Sequence, residues 1–175
     1  MPLTDFQKNV AHLIAANRTP ESHLAGGAVI NKAESALRIS KDFDIFHDIA
    51  DDRTAAETVA AYAAADERSL KDAGYSIEWI NRNDELCRAE IRRDGEIVRL
   101  DWVTDSAFRF FPIQRDEDFG YCLHHADLAI NKVLALVGRS EIRDYLDILQ
   151  FDQDYLSFGA IIWAACGKDP GYTPD

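Results

Sequence analysis

Apolar residues recur at helical spacing from the start of the chain. Phe6, Val10, Leu13 and Ile14 share one face of residues 4–17, and Thr4 stands where an N-cap belongs. A turn around Pro20 follows. His23-Leu24-Ala25 then forms a short strand candidate that runs into Gly26-Gly27, and the spacing predicts a helix from Ala28 to about Leu37. Ile39 to Phe46 alternates, is rich in strand-forming residues and reads as a strand. The next helix begins at Asp51–Thr54, with Thr54 and Glu57 as a capping-box pair, and runs through an alanine-rich stretch to about Ala73, where Gly74 is a natural stop.

The pattern then changes period. Tyr75–Ile80, Cys87–Arg92 and Glu96–Val103 read as three strands, with turns at Asn83-Asp84 and Asp94-Gly95. Phe108–Ile113 is a further strand or an extended segment. Helical spacing returns at Asp127–Val137, Glu141–Phe151 and about Tyr155–Ala165, with Gly138 ending the first of these and Ser140 capping the second. Pro170–Asp175 reads as a loop, so the chain is expected to stop short of its natural C-terminus. This order predicts an α/β (α+β) core in residues 1–120 and a helical part in 121–175, with no repeats and no low-complexity linker.

Composition narrows the partners. The chain has 175 residues, 47% of them hydrophobic, enough for a sizeable core without disulfides. Its net charge of -12, from 31 acidic and 19 basic residues, repels phosphate backbones, so broad sequence-independent binding of nucleic acid is not expected. A local basic patch could still hold one RNA end or a nucleotide. The acidity also suits a basic protein partner or a site that collects divalent cations. Cys87, Cys122 and Cys166 form no CxxC pair; they read as small buried hydrophobes in a reducing cytoplasm. No basic region leads into an apolar stretch, so no signal peptide is expected, and no apolar run approaches a membrane span.

Candidate chemistry begins with acids one residue apart: Asp42/Asp44, Asp116/Asp118 and Asp152/Asp154. Context separates them. In Lys41-Asp42-Phe43-Asp44-Ile45-Phe46 the acids alternate with large apolar residues, so on a strand both carboxylates project to one face and can grip divalent cations between them. The other two pairs lie in polar or helix-end surroundings and read as solvated surface. Gly26-Gly27 lies between a strand and a helix, where glycine lets backbone approach a phosphate, but no P-loop or dinucleotide fingerprint follows. Asp101 is a lone acid in the apolar run Ile97–Val103 and needs a metal or a partner such as Arg99 or another arginine; Asp105 is the fallback. Lys132 stands in an apolar helix, and Arg143 and Asp147 are spaced to pair on one helix face. His124-His125 can cap the helix that follows, and His47 is a candidate for substrate contact. Trp79, Trp102 and Trp163 read as core, and Phe108, Phe110 and Phe111 as core or a partner surface.

Leu24-Ala25-Gly26-Gly27, a helix, and then Arg38-Ile39-Ser40-Lys41-Asp42-Phe43-Asp44 resemble the first motif of the AbiEii-type nucleotidyltransferase toxins, within the DNA polymerase β-like superfamily. Lys132 to Ala135, followed by Arg139 and Arg143-Asp144 to Asp147, resembles their second motif across two helices. The resemblance spans roughly residues 22–166 and implies the nucleotidyltransferase fold, a mixed sheet flanked by helices. It also implies two Mg2+ ions held by Asp42, Asp44 and Asp101, and an NTP held by Gly26, Gly27, Ser40, Lys132 and Arg143. Asp144 would belong to the active site, with Asp147 in support.

The function implied is transfer of a nucleoside monophosphate to a hydroxyl on tRNA or on a protein, by a cytoplasmic toxin with a cognate antitoxin. Two other classes stay open: a nucleotidyltransferase acting on a small molecule of the antibiotic type, and a non-catalytic member that binds nucleotide or a partner.

Overall fold

The computed structural model describes residues 3–33, 36–48, 52–83 and 86–174, with the backbone alone for 52–54. Helix α1 spans Asp5–Ala15. The Thr4 hydroxyl accepts from the Gln7 amide at 3.1 Å and the Gln7 side chain accepts from the Thr4 amide at 3.0 Å, a closed capping box. Its apolar face, Phe6, Val10, Ala11 and Ile14, is buried.

Strand β1 (Ser22–Ala25) passes directly into α2, which spans only Gly26–Ile30. The helix expected to reach Leu37 therefore stops early. The Asn31 amide makes the last helical bond, to the Gly27 carbonyl, its side chain donates to the same carbonyl, and its backbone leaves helical geometry at φ -101° and ψ 19°. Strand β2 (Asp42–Asp48) starts later than the alternation suggested, and α3 (Asp52–Asp72) follows. The Thr54 side chain of the expected capping box and Asp84 of the expected turn lie outside the described residues.

Strands β3 (Ser76–Arg82), β4 (Leu86–Arg93) and β5 (Glu96–Asp105) match the three expected ones. Phe108–Ile113 is not a strand. Instead a short hairpin of β6 (Gln114–Asp116) and β7 (Gly120–Cys122) follows it, and Phe108, Phe110 and Phe111 are exposed. Asp116 is no solvated acid: it accepts from the amides of Asp118 and Phe119, which builds the hairpin turn, and pairs with Lys32. Helices α4 (His125–Arg139), α5 (Ile142–Asp154) and α6 (Phe158–Lys168) complete the chain. His124 caps α4 by accepting from the Ala126 amide. Gly138 lies inside α4. Ser140, expected to open α5, instead closes α4 in a left-handed conformation with φ 50°, its amide bonded to the Leu136 carbonyl.

The sheet order is β3-β4-β5-β2-β1-β7-β6, with β2–β5 and β1–β7 parallel and the other pairs antiparallel. Strand alternation divides the sheet into two unlike faces. One carries Phe43 and Ile45 of β2, Leu100 and Trp102 of β5, and Ala89 and Ile91 of β4, all buried beneath α1 and α3. Burial of each large apolar side chain contributes about 1.5–3 kcal/mol. An ionic knot fastens this layer: Arg18 donates to both oxygens of Asp66 at 2.7 Å, and Asp66 also accepts from Trp102 Nε1 at 2.7 Å and Asn17 at 2.8 Å.

His47 belongs to this buried face, its Nδ1 within 3.3 Å of the Val103 carbonyl and its ring against Tyr62, so it cannot touch a substrate on the other side. Trp102 is core and Trp79 packs against it at 5.6 Å, but Trp163 is 70% exposed because α6 buries only Ile161 and Ala165. The opposite face of the sheet is polar, and α4 lies over it with α5 and α6 alongside. Among the described residues no helix is long and apolar enough to cross a membrane.

Candidate active site

The polar face converges on a cleft. Parallel pairing of β2 and β5 sets Asp44 beside Asp101 and Asp42 beside Arg99, and antiparallel pairing of β4 sets Arg88 beside Asp101. Asp42, Asp44 and Asp101 thus line one polar recess of about 80 Å3 with Gly27, Arg38 and Lys132. The recess adjoins a wider cavity of about 470 Å3, walled by Phe46, Leu86 and Val103 from the sheet and by Leu128, Asn131 and Ala135 from α4. A separate apolar cavity of about 410 Å3 between α4, α6 and residues 171–174 holds none of the acids.

The two glycines are required by contact. Gly26 has φ +66°, and a methyl group there would overlap the Asp44 carboxylate. A methyl on Gly27 would come within 2.6 Å of the Arg38 guanidinium and 2.8 Å of Ser40 Oγ. The glycine bend therefore lies against the acids, on the same side of the sheet.

Each acid has a different environment. Arg99 donates to Asp42 at 2.5 Å, the Ser40 hydroxyl at 3.1 Å, and Arg143 at 3.5 Å. Burial alone would raise Asp42, but Arg99, Ser40 and Arg143 together hold it below the usual carboxylate range. Asp101 accepts a two-pronged bond from Arg88, at 2.8 and 2.7 Å. Asp44 receives no donor among the described residues. Burial, and next the Asp42 and Asp101 carboxylates, push it up to about 6.

Lys132 donates to Asp144 at 2.8 Å and lies 3.0 Å from Asp147, so two of its three protons face α5. Asp144 is wholly buried behind Lys132 and Arg139; the bonds those two donate outweigh burial and bring it down to about 2. It meets the cleft only through these cations. Asp147 does not pair with Arg143. Arg38 reaches it first, from the segment before β2, with a fork at 2.8 and 2.7 Å, and Asn31 donates to it at 3.0 Å. Arg143 turns to Asp42 instead. Ser40 is buried and meets the site through Asp42. Asp105 lies at the far end of β5 opposite Asp48, away from the recess.

Arg38, Arg88, Arg99 and Arg139 also line the cleft and were not singled out as site residues. The alternation of β4 and β5 places Arg88 and Arg99 on the same face as the acids, which is the signal that could have found them.

Three carboxylates on adjacent strands are the hard oxygen donors that magnesium takes, and the donor-free Asp44 has the charge a cation would relieve. As the side chains stand, no group of three His, Cys, Asp or Glu among the described residues is arranged to hold a metal ion. Asp42 and Asp101 direct their oxygens at arginines.

No model of a protein family matches the sequence. No curated protein matches it. Two solved Helicobacter pylori structures resemble the fold. JHP933 is 17% identical with a TM-score of 0.62, covering 95% of this chain and 74% of its own. A protein provisionally named a nucleotidyltransferase is 18% identical with a TM-score of 0.59, covering 97% and 80%. The expected fold class holds: a mixed seven-stranded sheet flanked by helices, a fold shared with these two structures.

Proposed function

We propose that the cleft binds a nucleoside triphosphate and transfers its nucleoside monophosphate to a hydroxyl acceptor, releasing pyrophosphate. The observation that carries this reading is the convergence of Asp42, Asp44 and Asp101 in one recess beside the Gly26-Gly27 bend. Asp42, Asp44 and Asp101 would hold Mg2+, which when bound supplies charge neutralisation at the phosphates and at the leaving group.

The chain's own residues supply the rest. Lys132, held between Asp144 and Asp147, would offer its ammonium to a phosphate oxygen. Gly26 and Gly27 leave the Asp44 carboxylate, the Arg38 guanidinium and Ser40 room to stand against the bend, beside which the triphosphate would lie. Arg139 and Arg143, 46% and 40% exposed, are cations within reach of an entering triphosphate. Phe46, Leu86, Val103 and Leu128 offer an apolar wall for the base or the acceptor. A carboxylate of the cleft would take the proton of the attacking hydroxyl.

The AbiEii-type resemblance supports a toxin that acts on tRNA or protein and is neutralised by an antitoxin, and both the strand-bearing part and the helical part would build its site. The net charge of -12 favours a second reading, transfer to a cationic small molecule.

The test is incubation with each labelled NTP and magnesium, with total tRNA and separately with aminoglycosides. Label on tRNA that is lost in Asp44→Ala supports the toxin reading, and label on the drug alone supports the small-molecule enzyme. Nucleotide binding with no transfer to any acceptor leaves a non-catalytic binder and overturns the proposal.

A further inference from the structure

We propose that Arg88 is a positioning residue that balances Asp101 until a divalent cation arrives and then gives it up. The inference rests on the reading of the cleft as a cation-dependent transfer site.

The geometry supplies three reasons. First, the Arg88 fork engages both oxygens of Asp101, at 2.8 and 2.7 Å. A cation shared between Asp44 and Asp101 needs at least one of those oxygens. A dication and a guanidinium on one carboxylate also repel each other strongly in a poorly solvated recess.

Second, the two partners differ in freedom. Asp101 sits in the middle of a strand paired on both sides, and its side chain is 7% exposed. Arg88 reaches it on a long flexible stem and is 34% exposed. The arginine is the partner that moves. It also lines the wider cavity, so a released guanidinium swings toward the space where an anionic substrate would lie.

Third, among the described residues Asp101 has no second partner as close as Arg88. Asp44 stands beside Asp101 across the β2–β5 pair and receives no donor among the described residues. Without Arg88, Asp101 would keep, among the described residues, only Arg99, whose Nε lies 3.5 Å away and whose terminal nitrogen is engaged by Asp42. Arg88 keeps the acids in place when no cation balances them and competes with the cation that does.

Mn2+ binding, followed by the electron paramagnetic resonance signal of the free ion without nucleotide, tests this. Arg88→Gln removes the competing charge and keeps a polar side chain. It is expected to bind Mn2+ about tenfold more tightly than the parent protein, with Arg88→Lys between the two. A purely structural role predicts the reverse, since a loosened Asp101 is a poorer ligand. Unchanged or weaker binding in Arg88→Gln overturns the inference. If circular dichroism shows Arg88→Gln unfolded, Arg88→Lys decides: tighter binding than the parent supports the inference, and equal or weaker binding overturns it. Asp44→Asn separates the two levels. If Asp44→Asn abolishes Mn2+ binding while Arg88→Gln fails to tighten it, the site reading stands and only the role of Arg88 falls. If the parent shows no Mn2+ binding that depends on Asp44, both fall together.

Discussion

Gly26 lies against Asp44 so closely that one added methyl group would occupy the place of the carboxylate oxygen. Gly26 also has φ +66°, where an L side chain is strained by about 1–2 kcal/mol. Gly26→Ala is therefore expected to lower unfolding stability by more than this backbone cost alone, and to abolish transfer activity by displacing Asp44. Gly95→Ala is the control. Gly95 has φ +87° but open space around it, so it bears the backbone cost and leaves activity intact. Urea unfolding of the two variants beside the transfer assay checks the contrast.

The donor-free Asp44 gives a stability prediction of definite sign. Its folded value, about 6, lies above the ordinary aspartate value of 3.8. The folded state therefore holds this proton more tightly, and the contribution is favourable below about 4 and lost as pH rises through about 6. In a chelator, Asp44→Asn should be more stable than the parent at pH 7.5, by up to about 3 kcal/mol, with the gain shrinking toward pH 4. Equal stability at pH 7.5 would show that Asp44 is not strained by its neighbours.

His23 and His47 work in the opposite direction. Both are buried; burial first, and nearby cations after it, lower them to about 4 and about 3. Unfolding lets them take protons that the folded state refuses, so stability falls as pH drops below 6.5. Each contributes a slope of about 1.4 kcal/mol per pH unit down to its folded value. His47→Gln should remove one of these slopes, read from urea midpoints between pH 7.5 and 4.5.

Asp147 ties α5 to Arg38, Asn31 and Lys132 at once. Asp147→Ala leaves the largely buried Arg38 guanidinium without its carboxylate, while Lys132 keeps Asp144, and is expected to cost about 3–5 kcal/mol. Asp147→Asn keeps the volume and part of the bonding and should cost less. Thermal unfolding of the two variants ranks them.

The tryptophans give a contrast within the fold. Trp102→Phe removes the donor to Asp66 inside the ionic knot and should cost about 1–3 kcal/mol. Trp163→Phe, on the 70% exposed ring, should stay within about 0.5 kcal/mol of the parent. Equal losses would place Trp163 in a packed environment and contradict its exposure.

Much of the architecture was legible in residue pattern because local rules governed it. Thr4 caps α1 as read, β3, β4 and β5 fell where alternation placed them, and Asp42 and Asp44 project together because a strand alternates. The failures have local causes too. Asn31 leaves helical geometry with its side chain bonded back to the Gly27 carbonyl, and the hairpin of β6 and β7 is held by Asp116 caps too short to leave an alternating trace.

Residue types and spacing were enough to settle the mixed α+β class, the acid-bearing strand and the glycine bend before it, since each depends on neighbours a few positions away. Which cation faces which carboxylate was left to the folded chain. Asp147 took Arg38 rather than Arg143, Asp101 took Arg88, and Asp44 took no donor at all among the described residues. Ion pairing acts over a few ångströms in space and is indifferent to distance along the chain, so these pairings exist only once strand register and the placement of α4 and α5 have brought residues as far apart as 38 and 147 into contact.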